Sequence, residues 1–167
     1  QKGEEVLKTS LEAIAIGRSA VFGIDKRPLP VAQRGHGRHW IISGNEAMGL
    51  GAIRGGIRFV AAYPITPATE ILEWMAPKLP QVGGALIQAE DELASINMLL
   101  GASFGGVPSM TATSGPGLSL MLESLGLAVS SEIPLVVVDV MRGGPSTGIP
   151  AKSEQSGLSY AVSGLHG

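Results

Sequence analysis

Five short segments hold most of the residues that could do chemistry: Ser43-Gly-Asn-Glu46, Tyr63-Pro-Ile-Thr-Pro67, Glu90-Asp-Glu92, Thr113-Ser-Gly-Pro-Gly117 and Arg142-Gly-Gly-Pro-Ser-Thr-Gly148. The acids are the most reactive of these. Glu90, Asp91 and Glu92 open a helical stretch, where negative charge suits the positive end of the helix dipole; that is their structural reading. The functional reading comes from Leu93-Ala-Ser-Ile-Asn-Met-Leu-Leu, which follows at once and carries Glu92 into the protein at a strand–helix junction. A carboxyl group there is partly desolvated and fit to share a proton with a nitrogen base. Arg142 follows an apolar strand and precedes two glycines. Solvated arginines are common, yet this position also suits bidentate capture of a carboxylate. Thr66, between Ile65 and Pro67, is either a turn filler or a hydroxyl that bonds a polar ligand. Asn45 and Glu46 read as helix-cap residues.

Other chemistries are excluded. Gly49-Leu-Gly51-Ala-Ile-Arg-Gly55 is G-x-G-x-x-x-G, and its first glycine falls inside a helix rather than at the turn where a pyrophosphate meets helix N–H groups. No acid ends the next strand to hold a ribose, so close packing by small residues is the better reading. His36, His39 and His166 have no metal-ligand spacing, and no serine–histidine–acid set is present. No metal site is expected in this chain. Cysteine is absent, which removes disulfides, thiolate zinc sites, cysteine-ligated iron–sulfur clusters and thiol nucleophiles. Met75, Met98, Met110 and Met121 read as core filling.

The chain has 167 residues, 44% hydrophobic and 16% charged, which suits one folded domain and not a disordered or coiled-coil segment. A net charge of −2 leaves no broad basic face for nucleic acid. No apolar run approaches the roughly 18–20 residues of a membrane helix, and the N-terminus lacks signal organisation, so no membrane partner and a cytoplasmic location are expected. Strand-like runs at 39–43, 57–62, 85–89, 108–112 and 134–139 alternate with helical stretches at 45–55, 68–79, 91–105 and 117–131, with a last helix near 153–163. That alternation predicts an α/β fold, a doubly wound and mostly parallel sheet with both faces covered. In such sheets ligands bind beyond the carboxyl ends of the strands, and each of the five segments follows a proposed strand. Residues 1–38 read as an amphipathic helix (3–20, with Leu7, Leu11 and Ile14 on one face) and a linker rich in Pro, Gly and basic residues, the tail of an upstream domain. Residues 39–167 read as the main domain, with a further strand expected beyond its C-terminus.

Four motifs, Tyr63-Pro-Ile-Thr-Pro67, Gln88-Ala-Glu-Asp-Glu92, Thr113-Ser-Gly-Pro-Gly117 and Arg142-Gly-Gly-Pro-Ser-Thr-Gly148, occur in the order and approximate spacing of one family. From about Gly44 to Ser163 the chain resembles the alpha subunit of the 2-oxoacid:ferredoxin oxidoreductases, in particular the 2-oxoglutarate type. Glu92, with Ala94 and Gly101, is also similar to the catalytic-glutamate helix of acetolactate-synthase-like enzymes. The resemblance implies a thiamine-diphosphate-binding fold, with residues 39–167 as the pyrimidine-binding domain.

It further implies that Glu92 hydrogen-bonds N1′ of the aminopyrimidine, favouring the 4′-imino tautomer that removes the thiazolium C2 proton. Thr66 would contact the 2-oxoacid or the cofactor, with Tyr63 and Pro67 beside it in the substrate site, and Arg142 would hold the 2-oxoacid's carboxylate. Thr113, Ser114, Gly115 and Pro116 would shape the pyrimidine pocket. The implied reaction is oxidative decarboxylation of a 2-oxoacid with coenzyme A, giving acyl-CoA and carbon dioxide and sending electrons to a ferredoxin-like acceptor.

The chain departs from the family at Ala151, where threonine is usual, and at Gly157, where an acid is usual. It has neither a Gly-Asp-Gly segment for the diphosphate and Mg2+ nor cysteines for an iron–sulfur cluster. The resemblance therefore implies a beta subunit that supplies those sites and shares the cofactor, in a heteromer built as a dimer of αβ units. The alternatives are a non-oxidative thiamine-diphosphate enzyme of acetolactate-synthase type and a non-catalytic structural subunit that keeps the fold.

Overall fold

A computed structural model of the chain describes residues 3–21, 37–147 and 157–164. The chain divides into two compact units, Gln1–His39 and Trp40–Gly167. The first contains helix α1 (Glu4–Ala20), with Glu4 and Glu5 in its first turn and Arg18 in its last, charges that complement the helix dipole. Most of the basic linker expected after it lies outside the described residues.

The second unit is built on four parallel strands, β1 (Phe59–Ala62), β2 (Ala85–Gln88), β3 (Ser109–Thr113) and β4 (Val136–Asp139), in the order β2-β1-β3-β4. Between them run α2 (Gly44–Arg54), α3 (Thr69–Met75), α4 (Glu92–Phe104) and α5 (Gly115–Ser130), and a short α6 (Gly157–Ser163) follows β4. This is the expected doubly wound α/β sheet. Side chains alternate across it. Val60 and Ala62 of β1 and Met110 and Ala112 of β3 join Ile71, Leu72 and Met75 of α3 in one buried cluster. Ala61, Thr111 and Thr113 are equally buried but stand outside that cluster, and α4 packs against β1, β3 and α5.

Three sequence expectations change. Residues 39–43 form no strand: the four-stranded sheet ends at β2 and β4 and takes no strand from this stretch, and Ile41 is fully exposed. Ser43 instead caps α2, its Oγ accepting from the Glu46 N–H while the Glu46 carboxylate accepts from the Ser43 N–H at 2.7 Å, a capping box. The helix expected over 68–79 stops at Met75, because Pro77 and Pro80 cannot donate into its ladder, and Leu79–Val82 continues as a 3-10 turn. Met75, Met110 and Met121 are fully buried, but Met98 is largely exposed on α4. Gly49 behaves as the packing reading requires: a Cβ there would lie 2.8 Å from the Trp74 ring and 2.9 Å from Met75 Cγ, so its absence lets α2 and α3 touch.

Candidate functional site

The three acids before α4 divide the two readings between them. Asp91 is the N-cap, accepting the Ala94 N–H at 2.6 Å, and its carbonyl accepts the Ser95 hydroxyl at 2.8 Å. Glu90 is exposed. Glu92, the first helical residue, is 7% exposed, carried inward because it shares its helix face with the buried Ser95, Ile96 and Leu99. No side-chain hydrogen bond of Glu92 forms among the described residues. Its carboxylate reaches α5, where a Cβ on Gly117 would stand 2.8 Å from Glu92 Oε1 and would also meet Thr113 Oγ1.

Three of the motif loops are tied at one residue. Ser114, wholly buried and N-cap of α5, places its Oγ 3.2 Å from the Thr66 carbonyl and 3.1 Å from the Val140 carbonyl. Its hydroxyl joins the loop after β1 to the loop after β4 across the end of β3. Gly115 completes the junction, since a Cβ there would lie 2.8 Å from the Arg142 carbonyl. On the β1 side, Asn45 Nδ2 donates to the Pro67 carbonyl at 3.1 Å and to Glu70 Oε2 at 2.9 Å. The residue expected only as a cap thus holds the Tyr-Pro-Ile-Thr-Pro loop. Tyr63 and Thr66 are exposed at its lip and Pro67 and Pro116 are half-buried, while Thr113 is buried beneath them.

Arg142 is 7% exposed and poorly satisfied. One Nη donates to the Ser146 carbonyl at 3.5 Å, and Nε is buried without a partner. A buried guanidinium with unspent donors is a strong attractant for an anion, and carboxylate geometry matches its fork.

Asp139 does not stand out in the sequence, where it closes the run Val136-Val-Val-Asp139. It ends β4 opposite Thr113, and both of its carboxylate oxygens are buried without a hydrogen-bond partner. Burial raises its carboxyl above the ordinary carboxylate value. Its Oδ2 fills the place a Cβ would take at Gly157, so any side chain at that position would have to displace the Asp139 carboxylate. The departure at Ala151 lies outside the described residues.

The sign of the Asp139 shift makes a prediction. A carboxyl raised in the folded state favours folding fully below its unfolded value, about 3.9, and that stability is lost as pH rises through the folded value. Asp139→Asn should therefore raise the unfolding temperature at neutral pH, with the gain vanishing near about pH 4. Thermal melts of both proteins across that range check it; a gain independent of pH would mean the carboxyl is not the cause.

Among the described residues no group of three or more His, Asp or Glu could hold a metal ion, and no helix is long and apolar enough to cross a membrane. A cleft of about 400 Å³ on the opposite rim, lined by Gly55, Val107, Pro108 and Pro134 among others, contains no titratable side chain. The buried charged side chains, Glu92, Asp139 and Arg142, all lie toward the carboxyl-end rim instead.

Comparison with known proteins shows the family. Residues 50–163 match the family described as pyruvate flavodoxin/ferredoxin oxidoreductase, thiamine diP-binding. The chain is 56% identical over 126 residues to the 2-oxoglutarate synthase subunit KorA of Methanocaldococcus jannaschii, covering 75% of this chain and 34% of that protein. It is 44% identical over 144 residues to the 2-oxoglutarate oxidoreductase subunit KorA of Mycobacterium tuberculosis, covering 83% of this chain and 22% of that protein. Among solved structures, the 2-oxoglutarate:ferredoxin oxidoreductase from Magnetococcus marinus, with 2-oxoglutarate, coenzyme A and succinyl-CoA bound, superimposes with a TM-score of 0.75 at 55% identity, over 99% of this chain and 29% of that one. The chain thus spans about a third or less of the length of these relatives.

Proposed function

This chain belongs to the pyruvate flavodoxin/ferredoxin oxidoreductase family, and from that membership we propose that it forms the pyrimidine side of a thiamine-diphosphate site in a 2-oxoglutarate:ferredoxin oxidoreductase. The observation that carries the reading is the buried carboxylate of Glu92 at the head of α4, on the strand-end rim that also holds the buried Arg142 and the tied loops of Thr66 and Thr113. The residues fit the group: a desolvated carboxylate suits a pyrimidine ring nitrogen, and glycines at 115 and 117 keep the α5 side of the rim low.

When bound, thiamine diphosphate supplies the carbon nucleophile and the electron sink for loss of carbon dioxide. Glu92 holds a proton at N1′ of the pyrimidine, and its burial keeps water from competing for that hydrogen bond. Arg142 binds the carboxylate of the 2-oxoacid through the donors that the fold leaves unspent. The Thr66 hydroxyl, at the exposed lip beside Tyr63 and Pro67, orients the substrate's polar end. Thr113 and Pro116 shape the pyrimidine pocket, while Ser114 and Gly115 serve it by holding the loops together.

2-Oxoglutarate is the proposed substrate because relatives at 44% and 56% identity bear that name. Coenzyme A and a ferredoxin-like acceptor complete the reaction, giving succinyl-CoA and carbon dioxide. A beta subunit is proposed to supply the diphosphate and Mg2+ sites and the iron–sulfur cluster, in a cytoplasmic dimer of αβ units, with residues 1–38 as a tail and linker and 39–167 as the pyrimidine domain. One observation supports a partner: α4 and α5 expose Leu93, Met98, Phe104, Leu120 and Leu127.

Purification of the complex from its source tests the whole reading. The companion chain is expected to contain Gly-Asp-Gly and clustered cysteines, and the complex to reduce ferredoxin or viologen only when given both 2-oxoglutarate and coenzyme A. Condensation of 2-oxoacids with no electron acceptor consumed would assign the chain to the non-oxidative enzymes instead.

A further inference from the structure

We infer that Gly117 is a positioning residue for Glu92: its missing side chain is the space that holds the Glu92 carboxylate where it can meet the cofactor. This rests on the proposed role of Glu92 and extends it to a residue with no functional group. The glycines of this unit differ in what an added Cβ would strike. At Gly84 it would lie 2.6 Å from the Arg58 carbonyl oxygen, a backbone atom just before β1, so that glycine serves the fold. At Gly117 the three nearest atoms outside its own helix backbone all belong to side chains of the rim: Thr113 Oγ1, Glu92 Oε1 at 2.8 Å and Glu92 Cγ at 2.9 Å.

Position 117 lies in the first turn of α5, in a helix where alanine is intrinsically preferred to glycine. Its φ is not in the left-handed region, so backbone freedom does not call for glycine there. The remaining demand is steric, and it comes from the Glu92 side chain, at Cγ as well as Oε1, and from one hydroxyl. A methyl group at this point can be accommodated by turning those two groups aside, which leaves the sheet and helices in place but moves the proton-holding atom. Because Glu92 and Gly117 stand at the heads of two neighbouring helices, α4 and α5, which pack along their length, the carboxylate cannot retreat by moving its helix. It must leave its rotamer.

The test uses the assembled complex and four forms of this chain: the parent, Gly117→Ala, Glu92→Gln and the double variant. Hydrogen–deuterium exchange at C2 of bound thiamine diphosphate is followed by NMR, the affinity of the cofactor-free complex for thiamine diphosphate by calorimetry, and unfolding by thermal melts. Gly117→Ala should slow exchange roughly a hundredfold, the cost expected of a reacting group displaced by about 1 Å, with the unfolding temperature nearly unchanged. In the Glu92→Gln background the same alanine should slow exchange no further, because the proton-holding carboxylate through which it acts has already become an amide.

Should the Gly117→Ala complex not assemble, the alanine is introduced with Thr113→Ser, whose hydroxyl can rotate from the new methyl with no branch methyl to place, and the same outcomes apply. Full exchange in Gly117→Ala, or an equal further loss on top of Glu92→Gln, overturns the inference while leaving the Glu92 reading intact. Undiminished exchange in Glu92→Gln alone overturns both.

Discussion

Glu92→Gln is expected to abolish most of the cofactor activation in the assembled complex. The amide has nearly the same shape as the carboxylate, so it should remain packed at the head of α4, where Asp91 still caps the helix through the Ala94 N–H. What it cannot do is hold and return a proton at a pyrimidine nitrogen. Positioned proton transfer of this kind contributes about 10²–10⁴ in rate, so C2 hydrogen–deuterium exchange of bound thiamine diphosphate should fall by that order with little change in unfolding temperature. Undiminished exchange would remove Glu92 from catalysis and revive the reading of the chain as a structural subunit that keeps the fold.

Arg142→Ala is the second large effect, and it should fall on the substrate rather than on the cofactor. The guanidinium is buried with Nε unpartnered and only a long contact to the Ser146 carbonyl. The folded chain therefore keeps it with donors to spare, and a substrate carboxylate is the partner that would use them. Hydrogen bonds to charged groups are worth about 1.5–3 kcal/mol, so KM for 2-oxoglutarate should rise roughly tenfold to a hundredfold. KM for coenzyme A and C2 exchange without substrate should stay near the parent values. Steady-state kinetics with each substrate varied in turn would measure it, and an unchanged oxoacid KM would take Arg142 out of the site.

Both residues are legible in the sequence because their neighbours betray their position. Glu92 is followed by an apolar helical run and Arg142 is preceded by an apolar strand, so each must sit at a strand end, the place where a parallel sheet binds ligands. The linking residues are not legible in that way. Asn45 looks like a cap, yet it holds the carbonyl of Pro67, 22 positions away. Ser114 looks like a pocket residue, yet its hydroxyl spans to Thr66 and Val140. Asp139 hides in an apolar strand because a single acid does not disturb the pattern of burial that marks it. The strand expected at 39–43 fails for a related reason: an apolar run signals burial, and whether a neighbouring strand exists to pair with it is a property of the assembled sheet.

Local composition alone thus determined the α/β class, the order of the strand-end motifs and the carboxylate and guanidinium proposed to carry the chemistry, because periodicity and burial are properties of adjacent residues. Tertiary structure decided which of three neighbouring acids is buried, how three loops are fastened at one serine, and which glycine faces Glu92. Those depend on contacts between residues far apart in the chain, and a contact of that kind leaves its mark in the sequence only as a small residue or a single hydroxyl, which many other causes can equally explain.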